Sequence, residues 1–440
     1  SLVGNRVSVI GYRLLDIGYG LSGIGNRELI MNMKRYIVLV VAMMMVAGAW
    51  AQNATSSPSS RFGYGELNSN LPGAYRAMGG VGIGVRSNKA INPAQPASYT
   101  ACDSLTFMFD IAGSFLYTNY GDANGATNRL NGNLEYMTIQ FPLWRRYIAM
   151  SVGVNPYSAV GYKFALNDSL KQGDEYVYHH TKAYSGEGGF TQVYGGLSFN
   201  ICDWVALGVN AYYMFGEINQ SRSLNFRDAA IDSVSQMDYL RANSFRLRYG
   251  LQFFHTFGKH SLTLGAVYEN KQAFSRMEYN QIETSSSDTV AKMSGGFEMP
   301  MMYGVGLSYG FADRLMVGLD YQCQDWSTAK YFGENGDLVS RHRFALGVEY
   351  RNDPTSRKFS DRMMWRAGLN YTTSYTAVYN QPELGVSVGF GFPLRTVGTV
   401  INTTLEYGRR GFAKNVLNEN YLRFVVNASI SEHWFFKRKL

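Results

Sequence analysis

The 440-residue sequence is poor in several things: it has 3 cysteines, 10 prolines and 6 histidines, and only 17% of its residues are charged. Three cysteines are too few for a disulfide scaffold. Low charge combined with 15% aromatic residues excludes a disordered or coiled-coil chain. The longest apolar run, Tyr36–Ala49, falls short of the roughly 20 residues that a spanning helix needs, so a helical membrane protein is excluded as well. His179, His180, His255, His260, His342 and His433 lack companions at ligand or triad spacing, and Cys102, Cys202 and Cys323 lack metal spacing. No catalytic residue, metal or cofactor is therefore expected, and the chain is not read as an enzyme. The Gly-rich run Gly79–Val85 lacks the Lys-Ser/Thr of a phosphate loop. The basic residues are scattered apart from Lys437-Arg438-Lys439, so no nucleic-acid groove is expected.

What is present begins with an export pattern. The first Met is Met31, and residues 1–30 read as a mistranslated stretch upstream of the true start. From Met31 the order is basic (Lys34-Arg35), apolar (Tyr36–Gly48) and small (Ala49-Trp50-Ala51), as in a cleaved secretory signal over 31–51. The mature chain is expected to start at Gln52. Five Lys/Arg and two acids lie in 1–51, so removing them lowers the net charge from +8 to +5.

From about Leu105 the dominant period is two. Tyr303, Val305, Leu307, Tyr309 and Phe311 oppose Gly304, Gly306, Ser308 and Gly310, and Leu384, Val386, Val388, Phe390 and Phe392 oppose Gly385, Ser387, Gly389 and Gly391. One face is apolar and the other is small or polar. A soluble sandwich also alternates, but Gly-lined faces would leave its core underfilled. Short turns such as Gly258-Lys259 and Ala312-Asp313 alternate with longer polar segments, Asn119–Gly132, Asn167–Asp174, Arg227–Asp238, Thr284–Gly296, Lys330–Ser340 and Gly411–Asn420. That alternation of rims points to an outer-membrane barrel. The count is 14 antiparallel strands, at 105–118, 133–142, 147–164, 175–200, 204–226, 239–257, 260–283, 298–311, 314–327, 341–351, 363–372, 384–393, 398–408 and 419–430. The expected fold is thus a 14-stranded antiparallel transmembrane β-barrel over 105–440, in contact with outer-membrane lipid.

Residues 52–104 are rich in Gly, Ser, Asn and Ala and read as an N-terminal hatch folded into the lumen. Pro156, after Asn155, falls in the middle of the third strand, where proline cannot donate to the ladder and marks a break or bulge. Gly186, Gly188 and Gly189 stand about midway along the fourth, so the two weak spots are expected to face one another. Glu269, Asp320, Glu349, Arg366, Glu406 and Arg423 fall on inward faces, where they could pair across the lumen and hold the hatch. Apolar rim candidates are few: Phe115, Leu116 and Tyr117, then Phe164 and Leu166, then Tyr375, Val378 and Tyr379.

These features resemble a known family, the FadL/TodX-type outer-membrane transporters of hydrophobic compounds, in the form found in Bacteroidetes-like bacteria. The resemblance rests on R-A-M-G-G at Arg76–Gly80, N-P-A at Asn92–Ala94, D-Y-Q and Trp within Asp320–Trp326, G-F-G-F-P-L at Gly389–Leu394, L-E-Y-G-R-R-G at Leu405–Gly411 and W-F-F-K-R-K-L at Trp434–Leu440. It implies a 14-stranded barrel with a hatch that includes Arg76, Gly79, Gly80, Asn92, Pro93 and Ala94, and a kinked third strand that opens a lateral gap.

The resemblance implies passive uptake of a hydrophobic small molecule, of the long-chain fatty acid or aromatic hydrocarbon class, with lateral exit at that kink. A greasy cargo would pass from lumen to bilayer without crossing the aqueous periplasm. Members resembling this family in Bacteroidetes-like bacteria also include a component of an outer-membrane secretion or assembly machine. The alternative is therefore a non-transporting barrel subunit or shuttle that holds an outer-membrane protein partner. The polar stretches Thr284–Asp288 and Gly333–Leu338 weaken the case for a ligand-capturing rim.

Overall fold

The computed structural model describes residues 55–433 except 70, 123–124, 173–174, 228–231, 285–287, 295, 335–336, 395–397 and 413–417. The expected signal sequence and the terminal Trp434–Leu440 lie outside the described residues.

Fourteen antiparallel strands close into one barrel. They are β1 (Thr106–Asp122), β2 (Gly125–Trp144), β3 (Ile148–Gln172), β4 (Glu175–Cys202), β5 (Val205–Phe226), β6 (Val234–Phe257), β7 (His260–Glu269), β8 (Met301–Phe311), β9 (Leu315–Asp325), β10 (Arg341–Arg351), β11 (Met364–Thr372), β12 (Glu383–Pro393), β13 (Val400–Arg410) and β14 (Asn418–His433). Neighbours in sequence are neighbours in space, and β14 pairs with β1 from Asn418↔Gly121 to His433↔Thr106 to seal the cylinder. Closure satisfies the backbone groups that lipid cannot.

The two faces divide as the alternation predicts. Tyr303, Val305, Leu307, Tyr309 and Phe311 point out of β8, while Asp320, Glu349, Arg366 and Glu406 are buried on the inner side. The outward apolar band has a clear upper limit. On β5 it runs through Leu207, Tyr213 and Phe215 and then gives way to exposed Glu217; on β6 it runs from Phe257 down to Phe245 and gives way to Arg241.

The strands are unequal. β7 to β13 have 9 to 11 residues, the length that just crosses a bilayer. β3, β4, β5 and β6 have 25, 28, 22 and 24 residues and rise well above the apolar band. Four of the long loops expected from sequence contain upper strand: Asn119–Gly132 and Asn167–Asp174 lie largely in hairpins, β6 begins inside Arg227–Asp238, and Thr284–Gly296 holds the strand Asp288–Ser294. Polar residues masked them as loops because, above the lipid, neither face has to be apolar. The expected seventh strand, 260–283, is also shorter. β7 ends at Glu269, and Arg276–Thr284 instead pairs with the top of β6 and forms a hairpin with Asp288–Ser294.

Residues 55–104 have almost no regular structure, only short helical turns and a two-residue strand, Glu66–Leu67. Many are fully buried, including Tyr64, Met78, Val81, Val85, Ile91 and Tyr99. The Gly-lined inner face of the barrel lets this segment come close. A Cβ at Gly347 or Gly368 would overlap the backbone of Met78 or Gly79.

Candidate functional site

The interior is organised in layers, all of which contact the N-terminal segment. At the outer mouth, Trp326 is completely buried, with its ring 5.5 Å from Tyr64 and 5.1 Å from Tyr375. Tyr331 meets Tyr64 edge-on at 5.2 Å, and Phe297 meets Tyr331 at 5.6 Å. The Tyr375 hydroxyl donates to the carbonyl of Gly65 at 2.5 Å and accepts from the Tyr64 N–H at 3.0 Å. Tyr331 donates to the Gly63 carbonyl at 3.1 Å. These rings form a lid whose centre, Tyr64, belongs to the N-terminal segment.

Below the lid, charges hold the segment. Arg410 contacts Glu66 of the segment at 2.8 Å, along with Glu383 at 2.8 Å and Glu419 at 3.0 Å. Arg76 contacts Glu135 at 2.8 Å and Glu406 at 3.5 Å, and Arg423 shares Glu406 at 3.5 Å. Glu135 turns inward because a bulge between Ala112 and Gly113 interrupts the β1–β2 register there.

Asp320 accepts three consecutive backbone N–H bonds, from Gly82 at 2.6 Å, Ile83 at 2.7 Å and Gly84 at 3.2 Å. Successive N–H groups of this kind form a concave anion nest, here filled by a strand carboxylate. Arg343 donates to the carbonyls of Gly80 at 3.2 Å and Gly79 at 3.0 Å. Gly79 and Gly80 have φ of 66° and 85°, the left-handed region that glycine enters freely.

The remaining hatch candidates are similarly placed. The Asn92 amide donates to the Gly82 carbonyl at 2.7 Å. The Pro93 carbonyl accepts from Asn210 at 3.0 Å and Tyr212 at 3.1 Å, and the Ala94 carbonyl from Arg248 at 3.4 Å. Two small cavities beside the segment, of about 50 and 70 Å³, share Arg341 and Arg343 in their walls.

The lumen acids and arginines do not all pair across the lumen as expected. Glu269 lies against Arg246 at 2.9 Å and Arg248 at 2.5 Å on adjoining β6, and Glu349 against Arg366 at 2.7 Å on adjoining β11. Neighbouring inward side chains are simply nearer than the far wall. Asp320, and Glu406 through Arg76, reach the segment. The sequence reading missed Glu66, Glu135, Arg343, Glu383, Arg410 and Glu419. Strand parity offered a signal for some: Arg410 shares the inward parity of Glu406, and Arg343 lies two positions from buried Ala345.

Pro156 does mark a bulge, but the interrupted ladder is on the other side of β3 from the glycines. The β3–β4 ladder continues through a bulge between Pro156 and Ser158, with Gly186, Gly188 and Gly189 paired to Tyr162, Val160 and Ala159, so the two weak spots stay hydrogen-bonded. The interruption falls on the other side of β3. The β2–β3 ladder runs from Trp144↔Ile148 to Met137↔Val154 and goes no further. The freed edge of β3 is instead paired by Glu66↔Ala159 and Leu67↔Ser158, with Asn68 N–H donating to the Tyr157 carbonyl at 2.9 Å. Asn155 is buried beside Pro156.

The rim candidates scatter. Phe115, Tyr117 and Leu166 are exposed, and Leu116 is buried. Phe164 packs against the aromatic cluster that contains Tyr375, and Tyr379 stacks on Phe62 at 6.5 Å.

A family model described as BamG matches residues 33–440. The chain belongs to the BamG family. Among solved structures, this BamG-family chain is similar to a FadL homologue of Pseudomonas aeruginosa, with TM-score 0.57 and 13% identity over 82% of this chain and 98% of that one. It is also similar to the Pseudomonas putida toluene transporter TodX, with TM-score 0.57 and 14% identity over 84% and 98%. A third is the Ralstonia pickettii toluene transporter TbuX, with TM-score 0.55 and 15% identity over 82% and 97%. At such identities the likeness shows the fold alone, and that fold is the FadL type. No curated protein matches the chain.

Proposed function

We propose that this barrel is a closed structural subunit of a larger outer-membrane assembly, with residues 52–104 acting as a fixed hatch and a protein partner held at its rims. One observation carries the reading: the mouth through which a ligand would enter is filled by the chain's own Tyr64, Trp326, Tyr331 and Tyr375. Beneath it the path is lined with arginines and carboxylates, a costly surrounding for a hydrocarbon, which cannot replace their hydrogen bonds. Native mass spectrometry of the gently extracted barrel tests this. A stoichiometric protein partner and an empty lumen are expected; a lipid-like molecule bound in the lumen without a partner rejects it.

A second reading is uptake of a hydrophobic small molecule, of the fatty acid or aromatic hydrocarbon class, with lateral exit beside β3. The FadL-type fold and the interrupted β2–β3 ladder favour it. It requires residues 60–68 to leave the edge of β3. Proteoliposomes loaded with a fluorescent fatty acid measure it: Pro156→Ala is expected to lower flux several-fold while leaving the folded barrel intact. Absence of flux in both proteins ends this reading.

A further inference from the structure

Among the described residues, no aromatic cluster like that at the outer mouth closes the periplasmic end of the barrel. That end opens into a vestibule of about 1220 Å³, whose floor is the segment at residues 86–90 and 100–105 and whose rim is the short turns. Seven cationic side chains line it against four carboxylates. Two of the seven, Arg351 and Arg366, share Glu349 at 3.2 and 2.7 Å. The other five, Arg86, Lys89, Arg145, Arg146 and Arg314, make no ion pair within 4 Å among the described residues, although Glu349 and Asp313 act on Lys89 from farther off.

These five differ in depth. Arg145, Arg146 and Arg314 are exposed at the rim, and Arg145 holds φ at 48°, a left-handed conformation unusual for a side-chain-bearing residue. Arg86 sits deeper. Its guanidinium lies 4.0 Å from the centre of the Phe254 ring and donates only to neutral acceptors, the Ala97 carbonyl at 2.9 Å, Thr100 at 3.0 Å, Asn200 at 3.2 Å and Gln252 at 3.4 Å. Lys89 stands between, half-buried, and burial pushes its ammonium down to about 8. With seven cations against four carboxylates, the lining from rim to floor is net positive, and concave low-dielectric walls focus such a field.

From this geometry we infer that the vestibule receives an acidic, extended segment of a periplasmic polypeptide. The cavity is large enough for several residues in file, and its cations are spaced along its depth rather than gathered at one point, which suits a chain of carboxylates better than a single small anion. The inference deepens the reading of the barrel as an assembly subunit and rests on it for its biological setting, while the binding itself can be measured alone.

Fluorescence anisotropy of a fluorescein-labelled hexaglutamate peptide, titrated with the detergent-purified full chain, is the test. Binding that weakens at least tenfold in Arg146→Glu/Arg314→Glu, and is unchanged in Arg357→Glu/Lys358→Glu, is the expected result. The second pair carries the same charge change on a periplasmic turn but does not line the vestibule. Equal weakening by both pairs would mean attraction to overall charge only and would overturn the inference. So would undetectable binding by the wild-type chain, whose folding is checked by its heat-dependent migration in gels. If hexaglutamate binds as expected but native extraction yields no protein partner, the vestibule stands and the assembly-subunit reading falls.

Discussion

The two walls of this barrel obey different rules. From β7 to β13 each strand crosses the membrane once and stops, in perfect register, and its inner glycines admit the N-terminal segment to backbone contact. From β1 to β6 the strands overshoot the lipid, and this wall carries the register shifts at Ala112/Gly113, Pro142/Trp144, Pro156/Ser158, Leu170/Lys171 and Asn200/Cys202. The positive φ values of Gly188, Gly189 and Gly216, 108°, 143° and 153°, also belong to it. The short wall is a regular bed for residues 77–84, with little tolerance. The tall wall is an irregular frame whose shape is set by bulges, and it beds residues 93–99, with a Cβ at Gly208 overlapping the backbone of Pro96 and Ala97.

The strongest way to break that contrast is to add volume to each wall. Gly368→Val on β11 drives a side chain into the backbone of Gly79, with no flexible atom to yield, whereas a Cβ at Gly195, on the outer face of β4 away from the segment, meets nothing within 4 Å. Overpacking costs typically 1–3 kcal/mol, more where only backbone can move. Gly368→Val is expected to lower the thermal midpoint markedly or to prevent folding, and Gly195→Val to leave it nearly unchanged. Equal effects would refute the view of the short wall as a bed.

A gentler test asks whether the short wall's charge holds the segment. Asp320→Asn preserves shape but weakens three charge-assisted hydrogen bonds and can turn a donor toward the nest. A loss of about 1.5–3 kcal/mol is expected. Limited proteolysis should then cleave within residues 80–90 faster in the variant, while cleavage in the tall-wall hairpins stays constant.

The smallest effect concerns Lys89. Burial pushes it down to about 8 from an ordinary 10.5. Between those values the unfolded chain holds a proton that the folded chain has released, so stability rises with pH across that window; below about 8 the folded state carries the full penalty of the buried charge. Acetylation followed by mass spectrometry should show Lys89 reacting half-maximally near pH 8. A half-maximum near the ordinary lysine value would remove this account of Lys89.

How much was legible follows the same division. In the short wall, the expected 341–351 coincides with β10, and 363–372, 384–393 and 398–408 fall within two residues of β11, β12 and β13. Lipid on one side and a packed segment on the other impose a strict period of two there. In the tall wall above the lipid that pressure vanishes, so strands read as loops and the hairpin Arg276–Thr284/Asp288–Ser294 went unseen. Pro156 did disclose its bulge, since a missing N–H is written in the residue itself, but which neighbour loses its ladder depends on strand pairing that no local pattern specifies. The Glu66–Arg410 contact was invisible for the same reason: its partners stand far apart in the chain and meet only when the cylinder closes.

That closure has a consequence for biogenesis. The β14–β1 seam unites the last strand of the barrel with the first, so it cannot zip until the whole polypeptide has been delivered. Yet Asp320, Arg343 and Arg410, which grip residues 66–84, are also late in synthesis. Residues 66–84 therefore lack these three partners until late in synthesis, held meanwhile only by earlier strands, through Glu66 and Leu67 on β3 and Arg76 on Glu135, and must be inside before the final zipper shuts. Whatever inserts this protein has to keep a partly anchored front end from wandering out of a half-built cylinder.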